Sequence, residues 1–130
     1  MIAVDTSSFI AFLAGEESED TALVTQALKD ETLILPSFVV TELFSARNLD
    51  DGVKAVILEL PQLEIPSKFW ERAGEMRAAI LTAGKKARTL DSMIACCCIV
   101  HDIPLIARDN DYRHFADHFG LRLLPILERP

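Results

Sequence analysis

Nothing in this sequence approaches the ~18 consecutive apolar residues that a membrane-crossing helix needs. No basic stretch precedes an apolar one at the amino terminus, so a secretory leader is not expected and a cytoplasmic location is the default. Internal repeats, linkers and low-complexity segments are missing as well. Basic residues are scarce in the first half, where Glu16, Glu17, Glu19, Asp20, Asp30, Glu31, Asp50 and Asp51 dominate. They gather later, at Lys68, Arg72, Arg77, Lys85, Lys86, Arg88, Arg108 and Arg113. A formal net charge of -7 argues against a passive nucleic-acid binder, which carries a basic face. It does not exclude a local basic rim beside an acidic centre.

Only three cysteines occur, and they are consecutive: Cys96, Cys97 and Cys98. Successive side chains on a helix point about 100° apart, so these three cannot grip one metal together. Adjacent cysteines also make poor disulfide partners. They read as small apolar core residues in a reducing compartment. The 130 residues, 50% hydrophobic and 25% charged, fit one domain over residues 1–130, long enough for a proper core.

Short apolar runs alternate with helical patterns. Residues 1–4 read as a buried strand, and Thr6, Ser7 and Ser8 as the cap of a helix that Gly15 closes. The acidic residues 16–20 suit the start of a second helix. Residues 32–35 form a strand that Pro36 and Ser37 end, with Ser37 capping the next helix. Residues 53–60 are helical, 63–65 a short strand, and 68–83 a long helix. A basic loop at 84–88 leads to Thr89, which caps a helix running to His101. A strand at 104–107, a helix at 112–119 and a strand at 121–124 complete the chain. This alternation predicts an α/β sandwich with a mainly parallel sheet of four or five strands flanked by helices. Sites in such sheets form at the carboxyl ends of strands, where Asp5 and Asp109 both lie.

Four acids stand out: Asp5, Glu42, Asp91 and Asp109. An Asp after a strand is often a turn residue, and Asp91 can simply favour its helix's amino terminus. Glu42 is different, because Val39, Val40, Leu43 and Phe44 surround it and a charge among them needs a partner or a metal. Basic partners enough for four clustered acids are not evident near them in sequence, so a metal cation is the natural compensator. An all-carboxylate set selects hard ions such as Mg²⁺ or Mn²⁺, which commonly do phosphoryl chemistry. The residues alone thus point to a metal-dependent phosphodiesterase or phosphatase.

The order Val4-Asp5-Thr6-Ser7, Thr41-Glu42-Leu43, Asp91-Ser92-Met93-Ile94-Ala95 and Leu105-Ile106-Ala107-Arg108-Asp109-Asn110-Asp111-Tyr112 resembles the PIN domain. Within it, the chain is most similar to VapC toxins of toxin–antitoxin pairs. The resemblance spans nearly the whole chain and implies a PIN-like three-layer sandwich. It implies a Mg²⁺- or Mn²⁺-dependent endoribonuclease that acts through a metal-activated water. Asp5 and Asp91 would ligate the metal, with Glu42 and Asp109 completing the pocket and Thr6 or Ser7 supporting it. It further implies a VapB-like antitoxin partner and a homodimer, the latter through the apolar helices at 53–60 and 69–80. Two positions depart from the family's pattern. Ala107 stands where Thr or Ser is common, so a hydroxyl is missing, and Asp102 stands where a helix-ending Gly is common. Asp111 is a second candidate beside Asp109 for the fourth acid.

Lys85, Lys86, Arg88 and Arg108 are placed to hold an RNA backbone on the rim of such a pocket. His114 and His118 have zinc-compatible spacing, but no third ligand follows, and they read as a solvated helix face. His101 sits at a helix end, where it suits the carbonyl dipole. Phe69 and Trp70 read as helix anchors more readily than as a base-stacking platform. Three other functions compete with the toxin: a PIN nuclease of RNA processing without an antitoxin, a non-catalytic PIN-like regulatory module, and a phosphatase with an Asp nucleophile. The last wants a second Asp two residues after the first, where Ser7 stands.

Overall fold

The computed structural model describes residues 1–126. The chain runs β1 (Ile2–Val4), α1 (Thr6–Leu13), α2 (Glu19–Lys29), β2 (Leu33–Pro36), α3 (Ser37–Phe44), α4 (Asp51–Glu59), β3 (Gln62–Leu63), α5 (Phe69–Thr82), α6 (Thr89–His101) and β4 (Leu105–Ile106). A single 3₁₀ turn at Asn110–Tyr112 then leads to α7 (Arg113–Phe119) and β5 (Leu123–Leu124). The five strands form one sheet in the order β3-β2-β1-β4-β5, and every pairing is parallel. Helices flank the sheet, as the alternation predicted, in the PIN-like three-layer sandwich that the resemblance implies. No helix among the described residues is long and apolar enough to cross a membrane.

The first strand is the central one. Ala3 pairs with both Ile34 and Leu105, and Val4 with Ile106. Its residues Ala3 and Val4 are fully buried, as expected for a parallel sheet covered on both faces. From β1 the chain first builds outward through β2 and β3, and later returns to lay β4 and β5 on the other side. The strand order therefore reverses at β1 and β4, and a crevice opens beyond their carboxyl ends.

The helix caps differ from those predicted. Thr6, Ser37 and Thr89 are the first helical residues, and Asp5, Pro36 and Arg88 precede them as caps without a side-chain capping bond. The hydroxyls are spent elsewhere: Thr6 on Glu42, Ser7 on Asp5, Ser8 on Asp20 and Ser37 on the Leu63 carbonyl. Tertiary partners outcompete the local backbone here. Pro36 belongs to β2 itself. It is the strand's last residue, at the point where the chain turns into α3. Asp102 closes α6 in the left-handed region, at φ 53° and ψ 49°, where Asp replaces Gly at low cost. Arg122 holds it there through the Asp102 carbonyl, 2.6 Å away, and carboxylate.

Cys96, Cys97 and Cys98 are all fully buried in the core of α6. Burial pushes the Cys97 thiol up to about 11 and Cys98 higher still, which keeps both protonated and unreactive. Phe69 is buried and stacks on Phe38, while Trp70 meets both rings edge-on and stays exposed. His101 pairs through Nε2 with the Glu64 carbonyl at 2.7 Å.

A second acidic centre, beside α1, fixes the end of β4. Asp20 is buried in the first turn of α2. It accepts from Ser8 at 2.9 Å, from Ser18 at 2.5 Å, and from Arg108 through Nε at 2.8 Å and Nη2 at 3.2 Å. Arg108 also reaches Glu16 at 3.0 Å. Burial pushes the Asp20 carboxyl up, but Arg108, Ser18 and Ser8 outweigh it and hold the group well below the usual carboxylate range. Arg108, expected on an RNA-holding rim, is thus committed to a clamp that pins the chain one residue before Asp109. Arg108→Ala should cost about 1–3 kcal/mol, because a buried carboxylate loses its charged donor. Since folding lowers the pKa of Asp20, its ionised form stabilises the fold above about pH 4 and that contribution fades as pH falls further. Urea denaturation of both proteins from pH 7 to pH 3 should show the gap between them shrinking with acid.

Candidate acidic site

Four segments bring one carboxylate each to the crevice. Asp5 follows β1 directly. Glu42 lies in the last turn of α3, Asp91 in the first turn of α6, and Asp109 caps the 3₁₀ turn after β4. Together with Thr6, Ser7, Ile10, Arg88 and Leu90 they line one cleft of about 460 Å³. Arg88 is the only basic residue among these lining residues, against four acids. The candidate acids and the two supporting hydroxyls therefore meet in one place. Lys85, Lys86, Arg108 and Asp111 do not line it.

Asp5 is buried and stands at the cap position of α1, but its side chain makes no capping bond. Its Oδ1 accepts from the Tyr112 hydroxyl at 2.7 Å and its Oδ2 from Ser7 at 2.9 Å. Glu42 accepts from the Thr6 hydroxyl at 2.5 Å. Asp91 receives Tyr112 at 3.3 Å on Oδ1 and Arg88 Nε at 3.0 Å on Oδ2. Burial pushes the Asp91 carboxyl up; Arg88 pulls it back, and the charges of Asp5 and Asp109 push it up again, leaving it raised. Asp109 serves two ends: Oδ1 accepts the Asp111 amide at 2.9 Å, and Oδ2 accepts Arg88 Nη2 at 2.8 Å. Asp109, not Asp111, thus faces the cleft.

Tyr112 is the residue that sequence reading passed over. It is the chain's sole tyrosine and is almost fully buried, so it resembles a core anchor. A buried phenol needs a polar partner, however, and this one finds two carboxylates. Burial and the charges of Asp5 and Asp91 drive its pKa far above the ordinary value, so it remains a donor at every working pH. The hydroxyl missing at Ala107 has a counterpart here five residues later.

Among the described residues, no three Asp, Glu, His or Cys side chains form a ready-made metal cage. The donor set still fits a hard ion chemically. Mg²⁺ keeps several waters and is held by as few as one or two carboxylates. The space between Asp91 and Asp109 already holds a cation, the Arg88 guanidinium. His114 and His118 lie on α7, away from the cleft lining.

A parallel α/β sandwich with an acidic crevice at its switch point is the class that this fold and site define. Residues 2–118 match the model of the PIN domain family, and the chain belongs to it. Solved structures share the fold at low identity. A chain of VapBC2 from Rickettsia felis, bound to a DNA fragment from its promoter, superposes with a TM-score of 0.71 at 18% identity, covering 95% of this chain and 97% of that one. VapBC-1 from nontypeable Haemophilus influenzae gives 0.71 at 20% identity, with 95% and 96% covered. FitAcB from Neisseria gonorrhoeae gives 0.67 at 22% identity, again with 95% and 96% covered.

Tyr112→Phe tests the role of the phenol. The ring's volume is kept while Asp5 and Asp91 lose a shared donor, so stability at neutral pH should fall by about 1–3 kcal/mol. A loss below about 0.5 kcal/mol in urea denaturation, the size of an ordinary surface change, would mean that the hydroxyl does not hold the acids in place.

Proposed function

We propose that the chain is a divalent-metal-dependent endoribonuclease, the VapC-type toxin of a toxin–antitoxin pair. The observation that carries this reading is the convergence of Asp5, Glu42, Asp91 and Asp109, from four separate segments of a PIN-family chain, on one open cleft. Carboxylates crowded in this way need a cation. The similar folds in VapBC and FitAcB complexes favour the toxin over a PIN nuclease that works without an antitoxin.

On this reading Asp5 and Asp91 hold Mg²⁺ or Mn²⁺, with Glu42 and Asp109 completing the set. When bound, the ion supplies an activated water and neutralises charge at the phosphate. The chain's own residues do the rest. Tyr112 and Ser7 take up the two oxygens of Asp5 from behind and fix the carboxylate plane. Thr6 fixes Glu42. Ile10 and Leu90 give the cleft apolar walls. Lys85 and Lys86, exposed on the loop before α6, steer the RNA backbone toward it. An antitoxin segment ending in an arginine would neutralise the same acids, because a guanidinium fork pairs well with carboxylates. Val56, Leu58, Trp70 and Leu81 leave apolar surface exposed on α4 and α5, and we assign this face to a homodimer.

Three measurements test the proposal. Mn²⁺ or Mg²⁺ at about 100 times its Kd should stabilise the chain by about 2.7 kcal/mol, a shift of several degrees in Tm, and Asp5→Asn and Asp91→Asn should lose most of it. RNA cleavage should stop on exhaustive chelation; cleavage that survives it defeats the mechanism. Light scattering should give a dimer mass that Leu58→Glu reduces to the monomer, and a wild-type monomer at high concentration would remove the dimer from the proposal.

A further inference from the structure

The cleft holds its own cation. Arg88 stands just outside α6, at the capping position, with extended backbone (φ -73°, ψ 149°). Its fork spans two acids from different segments: Nε lies 3.0 Å from Asp91 Oδ2, and Nη2 lies 2.8 Å from Asp109 Oδ2. The choice of oxygens matters. Oδ1 of Asp91 faces Tyr112, and Oδ1 of Asp109 is taken by the Asp111 amide. Arg88 therefore occupies, on each acid, the oxygen that no other hydrogen bond holds. A metal ion ligated by those oxygens and the guanidinium would place two positive charges against the same atoms.

We propose that Arg88 is a tethered counter-ion which divalent metal displaces, and that the freed guanidinium then binds the RNA phosphate at the cleft. The inference rests on the metal-dependent ribonuclease reading and adds to it an order of events, with metal first and RNA second.

Two arginines in this region make the case by contrast. Arg108 donates to Asp20, whose side chain is 6% exposed, and is itself 34% exposed. Such a pair is fixed, because separating it strands a buried charge. Arg88 is 67% exposed, and among the described residues its guanidinium bonds only the two cleft acids. Its partners Asp91 and Asp109 are 13% and 30% exposed, but a guanidinium so open to water makes pairs that salt screens. A doubly charged ion at the same carboxylates has about twice the Coulomb attraction at equal distance. The long side chain stays anchored on the cleft wall after release. A planar fork with no acid to hold is suited to a phosphate, which it pairs in two-point fashion. Metal thus exposes a phosphate grip that the metal-free protein conceals against its own acids.

The experiment is a Mn²⁺ titration by calorimetry on the full chain, comparing wild type with Arg88→Gln and Arg88→Lys. A second readout is anisotropy of a fluorescent 2′-O-methyl oligoribonucleotide, which cannot be cleaved, with and without saturating Mn²⁺. Arg88→Gln should bind Mn²⁺ about 3- to 10-fold tighter at low salt, the worth of two pairs made by a solvent-open guanidinium, with the gap closing as salt rises. Arg88→Lys, charged but without the fork, should fall between. Mn²⁺ should tighten oligonucleotide binding in the wild type, and by a smaller factor in Arg88→Gln, since the two bindings are linked through this residue. Equal or weaker Mn²⁺ binding by Arg88→Gln overturns the displacement while leaving the ribonuclease reading intact. A wild type that binds no Mn²⁺ overturns both. Tighter Mn²⁺ binding with an undiminished effect of metal on the oligonucleotide overturns the phosphate grip.

Discussion

Mutual repulsion of carboxylates gathered at one end of a sheet is the constraint around which this molecule is arranged. Negative groups taken partly out of water survive only where donors meet them. The first turn of α1 shows how the chain supplies those donors. Thr6, Ser7 and Ser8 are consecutive, so their side chains fan out around the helix, and each hydroxyl serves a different acid: Glu42, Asp5 and Asp20. Tyr112 approaches from the far side and joins Asp5 to Asp91. Two arginines carry the remaining charge, one clamped on buried Asp20 and one lying across Asp91 and Asp109.

The clamp and the cleft are mechanically joined. Ser8 and Ser7 are neighbours, and so are Arg108 and Asp109. Each neighbouring pair has one member in the Asp20 network and the other in the cleft. The position of Asp109 is thus inherited from a buried ion pair that has no chemistry of its own. A change at Glu16, Ser18 or Asp20, well outside the cleft lining, reaches the acids through one peptide bond.

Much of this was readable from residue order. Alternating apolar runs gave the parallel sheet, and the strand-end positions of Asp5 and Asp109, with Glu42 set among Val39, Val40 and Leu43, marked the acids that do converge. The hydroxyls were misread. Thr6, Ser37 and Thr89 read as caps from residue order, but each is the first helical residue, and long-range partners hold the side chains of the first two. Arg108 and Arg88 have the same composition-level signature, a basic residue near an acid block, and only burial separates the fixed one from the exposed one. Tyr112 was the hardest to see, since its partner Asp5 is 107 residues away and no local pattern records so distant a bond. Arg122 and the left-handed backbone account for Asp102 at the end of α6, where the resemblance leads one to expect Gly.

The sheet's topology also sets a timetable. The strand made first, β1, is the central one, and its outer neighbour β4 is added about a hundred residues later. A chain emerging from the ribosome therefore carries Asp5 and Glu42 long before Asp91, Asp109 and the Tyr112 phenol exist to complete the cleft. Helices α1 to α5 can form early, but the insertion of β4 beside β1 is a late, non-local closure. The four acids thus cannot share one cleft before the segment from β4 to Tyr112 has been made and laid beside β1.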